Sequence, residues 1–176
     1  MDAFTLIELP LPGALYRSAM PYSAYDPRGE VLASYAAARI DMVVVLVESH
    51  EIERIRPDLL GLYRTAGRQV LHHPIPDFSV PRDPASFLAA ADTALSAVRS
   101  GAHVAAHCHA GIGRTGIFAA VLARRLLGLD GPQAVRYVRR FIPDALENEE
   151  QCRFVNDIRL DGPYSPGRSF PDPIVK

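Results

Sequence analysis

Short apolar runs alternate along the chain with longer segments of helical spacing. Ala14-Leu15-Tyr16-Arg17-Ser18 reads as a first strand, closed by Pro21 and loop residues. Val31 to Arg39 is alanine-rich and helical in composition. Asp41 to Val47 is a β-branched run, the pattern of a buried strand. Glu51 to Thr65 reads as helical, interrupted or restarted at Pro57, and Gly67 breaks it. Gln69 to Ile75 reads as another strand. After the loop from Pro76 to Pro81, Asp83-Pro84 supplies an N-cap and a proline at the first helical position. The helix this predicts runs to about Arg99, with Phe87, Leu88, Ala91, Leu95 and Val98 on one face, and Gly101 stops it.

Ala102 to His107 is a short apolar strand, followed by a glycine-containing loop and an apolar helix from Thr115 to Leu127. Pro132 to Phe141 and Asn148 to Leu160 read as two further helices, with Asn148 and Gln151 spaced as a capping box. There is no internal repeat and no low-complexity block. Strands alternating with helices, then helices alone, predict an α/β domain with a central, mostly parallel sheet flanked by helices. Residues 1–160 form this domain in the sequence reading. Residues 161–176, with Pro163, Pro166, Pro171 and Pro173, form an irregular proline-rich tail.

Composition narrows the function classes. The 176 residues suit one domain with a single core, and 48% hydrophobic with 22% charged residues is ordinary for a globular chain. A net charge of -1 provides no global field for nucleic acid or an anionic membrane, so neither is expected as a partner. The longest strongly apolar run, Met42 to Val47, is far too short to span a bilayer. Met1-Asp2-Ala3-Phe4 lacks the basic-then-apolar layout of a signal peptide. Two cysteines, Cys108 and Cys152, make no disulfide framework, and a reducing cytoplasm is the expected location.

The chemistry concentrates in His107-Cys108-His109-Ala110-Gly111-Ile112-Gly113-Arg114-Thr115-Gly116. A strand ends at His107 and a helix begins near Arg114. The loop between them can curl so that successive backbone N–H groups of His109, Ala110, Gly111, Ile112 and Gly113 face one centre. Gly111 and Gly113 allow the dihedrals such a cradle needs. The helix that follows adds the positive end of its dipole. These groups would bind a phosphate dianion, and with Arg114 they also favour the thiolate of Cys108, the reactive form of the nucleophile. Arg114, six positions after Cys108, brings a planar guanidinium that can grip two phosphoryl oxygens at once. Thr115 is placed to donate to the sulfur, and His107 to orient the loop through hydrogen bonds.

This stretch resembles the His-Cys-x5-Arg-Ser/Thr signature of the protein tyrosine phosphatase superfamily. Rhodanese-like domains also use a cysteine loop with a distal arginine, but normally lack the Arg-Thr-Gly ending. The resemblance implies metal-free and cofactor-free hydrolysis of phosphomonoesters, with Cys108 as nucleophile. It also implies an aspartate on an upstream loop as general acid. Asp77, in Pro76-Asp77-Phe78 and 31 positions before Cys108, is that candidate, as in the shorter loop of the dual-specificity branch. Arg139-Arg140-Phe141-Ile142-Pro143, then Glu147 to Gln151, is similar to the closing helices of small members of that branch, so the likeness extends from about Leu15 to Ile158.

The implied partner is a phosphorylated protein, through phosphotyrosine and also phosphoserine or phosphothreonine. A phosphoinositide or small-molecule phosphatase, and a non-catalytic phospho-binding module, remain open alternatives. Ala110 and Ile112 stand where lipid-directed members often carry lysines. His109 replaces the serine of many tyrosine-specific members.

Other features read as structural. His72 and His73 adjoin on a strand and face opposite ways. Arg124-Arg125 and Arg136, Arg139 and Arg140 read as solvated helix faces. Cys152 reads as packing beside Val155. Gln151 reads equally well as a helix cap or as a group that places the hydrolytic water.

Overall fold

The protein is described by a computed structural model covering residues 2–160; the tail expected over 161–176 lies outside the described residues. Among these residues five strands make one sheet: β1 (Phe4–Ile7), β2 (Ala14–Ser18), β3 (Met42–Val45), β4 (Gln69–His72) and β5 (His103–His107). Their order is β1-β2-β5-β3-β4. β1 pairs antiparallel with β2, and every other neighbouring pair is parallel. The mostly parallel α/β architecture expected from the alternation is therefore present.

β5 occupies the centre, with Val104, Ala105 and Ala106 buried between β2 and β3. A parallel sheet covered on both faces requires such continuous apolar strands. β3, Met42-Val43-Val44-Val45, is buried throughout. Register brings Ser18, Val45 and His107 level, so three strands end together at the residue before Cys108. Ligands of open parallel sheets bind at this carboxyl edge.

Among the described residues, seven helices surround the sheet: α1 (Val31–Ala37), α2 (Ser49–Ile55), α3 (Leu59–Thr65), α4 (Pro84–Arg99), α5 (Gly113–Leu127), α6 (Gly131–Val138) and α7 (Glu149–Asp157). Pro57 separates α2 from α3, as its lack of an N–H and its fixed φ require. Asp83 caps α4 by accepting from the Ala85 and Ser86 N–H groups. Gly128, at φ 66, closes α5 in the left-handed conformation. From Gly113 to Ala123, α5 is buried all round, making it the central helix of the packing.

The structure corrects several sequence expectations. β1 precedes the expected first strand; its four residues at the sheet edge are too few for a periodic signal. α6 ends at Val138, because Arg140 and Phe141 bond three residues back and tighten into turns. α7 ends at Asp157 rather than Leu160. Asn148 accepts from the Gln151 N–H, but the Gln151 side chain accepts from Glu147, not Asn148, so the expected capping box is half formed.

Of the arginines assigned to solvated faces, Arg136, Arg139 and Arg140 are exposed as expected, whereas Arg124 and Arg125 are half-buried; three of the five hold carbonyls or a carboxylate. Arg124 donates to the carbonyls of Val155 and Ile158 at the end of α7, Arg125 pairs with Asp92, and Arg139 donates to the carbonyls of Ala145 and Leu146. His72 and His73 diverge as expected: His72 Nε2 meets the Val47 carbonyl, while His73 lies against the Phe87 ring.

Arg124→Met keeps the stem of the side chain and removes the donors that hold the end of α7. Hydrogen bonds from a charged donor contribute about 1.5–3 kcal/mol. We expect a loss of about 2 kcal/mol, read as a lower urea midpoint with an unchanged m-value.

Candidate active site

The segment between β5 and α5 is shaped by where its carbonyls go. The His107 carbonyl accepts from the Leu46 N–H and the His109 carbonyl from the Met20 N–H, so both are engaged by neighbouring strand ends. The N–H groups of His109, Ala110, Gly111 and Ile112 make no hydrogen bond among the described residues. Gly111 adopts φ 76, and a Cβ there would collide with the Ser18 carbonyl. Glycine is required on both counts. Cys108 lies at the base of this loop, buried at 3% exposure.

Arg114, in the first turn of α5, is also buried. Its guanidinium forms a two-pronged pair with Glu51 of α2, at 2.6 and 3.1 Å. Nη1 also donates to the Ile75 carbonyl, and Nη2 lies 2.9 Å from Asp77 Oδ1. Burial opposes the Arg114 charge, but Glu51, Cys108 and Asp77 outweigh it and raise its pKa. Burial alone would raise the Glu51 carboxyl; the bonds from Arg114 and from the Glu48 N–H hold it below its ordinary value. Glu51 Oε1 is also 3.9 Å from His109 Nδ1.

His107 is fully buried, and burial pushes its pKa down to about 4. The ring is therefore neutral at pH 7. Nδ1 faces the Cys108 carbonyl at 3.0 Å, an acceptor only, so Nδ1 carries the proton. Nε2 then accepts from the Tyr63 hydroxyl at 3.0 Å. Next to Tyr63 lies Tyr35, whose hydroxyl bonds Ser18 Oγ at 2.7 Å. Ser18 is the residue whose carbonyl crowds Gly111. Buried polar groups thus hold the base of the loop at His107 and the Ser18 segment that packs against its middle at Gly111.

Comparison with known proteins agrees with this geometry. Residues 21–127 match the family model described as "Polymorphic toxin system, DSP-PTPase phosphatase". The chain belongs to the dual-specificity branch of the protein tyrosine phosphatase superfamily. Among solved structures, Tk-PTP in its active form is 31% identical, with TM-score 0.73, over 89% of this chain and 96% of that one. A kinase-associated phosphatase with its catalytic-site cysteine replaced by serine superimposes with TM-score 0.79 at 22% identity, over 88% of this chain and 92% of that one. PTPMT1 in complex with PI(5)P shares the fold at 15% identity and TM-score 0.73, over 89% and 94%. No curated protein matches the sequence significantly.

Within this phosphatase fold, the structure brings together Cys108, Arg114, His107 and Asp77 around the loop from His109 to Gly113. Thr115 Oγ1 is buried and has no hydrogen-bond partner among the described residues, so the expected bond to the sulfur is not formed. Gln151 is buried at the same end of the molecule, with Nε2 donating to the Ser79 carbonyl of the Asp77 loop. Cys152 packs beside the core, as expected, with Sγ 4.0 Å from the Leu146 carbonyl.

Sequence reasoning missed Glu51, Tyr63 and Glu147. Glu51 carries a local signal, since Glu48 and Glu51 form the capping box of α2, but nothing in the chain announces that its carboxylate also clamps Arg114. Tyr63 reads as an ordinary aromatic on a helix face. Glu147 touches the loop only through tertiary packing.

Two outcomes follow from the buried groups. A free histidine titrates near 6.5, and His107 in the fold near 4, so between these values the unfolded chain binds more protons. Stability therefore rises with pH across that window and is lost as pH falls through it. The His107 contribution amounts to about 2 kcal/mol between pH 7 and 5, measurable by urea denaturation at both values. The His107→Asn variant is expected to flatten that part of the profile. Separately, Gly111→Ala is expected to abolish phosphate or vanadate binding, measured by calorimetry, because the loop must rearrange to clear Ser18.

Proposed function

We propose that the phosphatase acts on phosphotyrosine, and also on phosphoserine or phosphothreonine, in proteins, through a cysteinyl-phosphate intermediate. The observation that carries this reading is one loop holding a buried Cys108, a set of backbone N–H groups without partners among the described residues, and a buried Arg114 already fixed by Glu51. Phosphoryl transfer requires in-line positioning and charge neutralisation above all, and this loop has the parts for both.

In the first step the Cys108 sulfur attacks phosphorus and the bond to the leaving oxygen breaks. Arg114 and the loop N–H groups hold the equatorial oxygens, and Asp77 gives the leaving oxygen its proton. In the second step water attacks phosphorus, its proton passes to Asp77, and the sulfur departs as thiolate. His107, neutral and bonded to the Cys108 carbonyl, keeps the loop base in place. No metal or organic cofactor enters the scheme.

The surroundings favour an aryl phosphate. Tyr25 and Phe78 are exposed at 57% and 63%, which leaves both rings free to pack against an aromatic group of a substrate. The Tyr25 ring meets His109 edge-on at 5.7 Å between centroids, and Phe78 directly follows Asp77. Ala110 and Ile112 bring no cation to the loop for a polyphosphorylated headgroup.

Assay with an aryl phosphate in chelator tests the reaction. We expect turnover that Cys108→Ser lowers at least about 10³-fold and Arg114→Lys at least about 10²-fold. No turnover by the unmodified chain, or full turnover by Cys108→Ser, contradicts the reading. A panel of phosphopeptides, phosphoinositides and inositol phosphates tests the substrate class: the highest kcat/KM is expected on phosphotyrosine peptides, and a phosphoinositide preference would overturn the protein assignment.

A further inference from the structure

A carboxyl outside the scheme above also reaches the loop. Glu147 follows Leu146, a buried leucine held at φ 60. That conformation is rare and strained for a residue with a side chain, and it persists only where the surroundings impose it. Here Arg139 Nη2 donates to the Leu146 carbonyl at 3.3 Å, and the Glu147 N–H donates to Gln151 Oε1 at 2.8 Å. The twist turns the Glu147 side chain onto the start of α5. Its Oε2 occupies the space a Cβ on Gly113 would need, and the nearby Gly113 N–H favours the carboxylate. Gln151 Nε2 borders the same space.

Asp77 and Glu147 are placed differently. Asp77 Oδ1 is taken by Arg114 Nη2 at 2.9 Å and by the Phe78 N–H at 3.1 Å. No arginine among the described residues lies within ion-pair distance of Glu147. The groups facing Glu147 are Asp77, Arg114, the Gly113 N–H and the Gln151 amide. Partial burial, then the charge of Asp77, raise the Glu147 pKa, against the pull of Arg114 and the Gly113 N–H. Neighbouring carboxyls with differing environments are the usual arrangement for moving a proton.

We propose that Glu147 is a second catalytic carboxyl, able to carry the proton when Asp77 is held on Arg114. This rests on the phosphatase reading. As the sulfur–phosphorus bond forms and the phosphorus–oxygen bond breaks, the Glu147 proton passes to the leaving oxygen. When water attacks the cysteinyl-phosphate, its proton returns to Glu147 and the thiolate leaves. Gln151, bonded to the Glu147 backbone and bordering its carboxyl, is the positioning residue.

The test compares the unmodified chain with D77N, E147Q and the double variant on aryl phosphates of graded leaving-group pKa. Glutamine keeps an oxygen for the Gly113 N–H but cannot act as an acid, so a purely structural role would leave E147Q unaffected. We expect D77N to retain turnover of phenyl phosphate. The double variant is expected to lose at least about tenfold more, with the added loss growing as the leaving group becomes more basic. A double variant within about threefold of D77N on every substrate overturns the proposal, as does an added loss equal for all leaving groups. Turnover by the unmodified chain alongside either result overturns this inference alone; absence of that turnover overturns the phosphatase reading and takes this inference with it.

Discussion

The buried pair between Arg114 and Glu51 is the contact on which the site depends. Each charge alone would be costly to take out of water, and removal of one partner of such a pair typically destabilises by about 3–5 kcal/mol. The pair is geometrically complete: two bonds to one carboxylate, a third to the Ile75 carbonyl, and a contact with Asp77. It joins α2, the segment after β4 and the start of α5 at one point. The guanidinium is consequently oriented by the fold itself, so little order has to be imposed on it when an anion binds. Glu51 does for Arg114 what the Tyr63–His107 bond does for the base of the loop.

Packing and chemistry share the same glycines. Gly113 and Gly116 lie one turn apart on α5, and both face the segment Ala145 to Glu147. A Cβ on Gly116 would come within 3.0 Å of the Ala145 Cβ and within 2.9 Å of the Leu146 nitrogen. A side chain on Gly113 would displace the Glu147 carboxyl. The Arg-Thr-Gly ending of the signature is thus also a landing surface for the segment that precedes α7. Arg139 secures that segment from the other side through the Ala145 and Leu146 carbonyls.

The legible part of this molecule was the part written in local sequence. The strand–loop–helix around Cys108, the Asp83 cap, the break at Pro57 and the parallel alternation are patterns of neighbouring residues, and the structure contains them. Asp77 could be singled out because Pro76-Asp77-Phe78 resembles the acid loop of the dual-specificity branch. Glu51 and Glu147 could not, because each reaches the site across a long separation in sequence, and a glutamate on a helix or loop usually means only a solvated surface. The misread arginines show the same limit from the other side. Arg124 and Arg125 look like surface charges until the carbonyls and the carboxylate they meet are brought to them by the fold. β1 escaped notice because four residues at a sheet edge carry no period long enough to read.

The central claim is that phosphate passes through the Cys108 sulfur. The direct measurement is rapid denaturing quench of the unmodified protein turning over a ³²P-labelled aryl phosphate, followed by mapping of the labelled peptide. The account predicts label on the peptide bearing residue 108, attached through sulfur and absent from Cys108→Ser. Label on His107 or His109 instead, or steady turnover with no covalent label at any quench time, would contradict it.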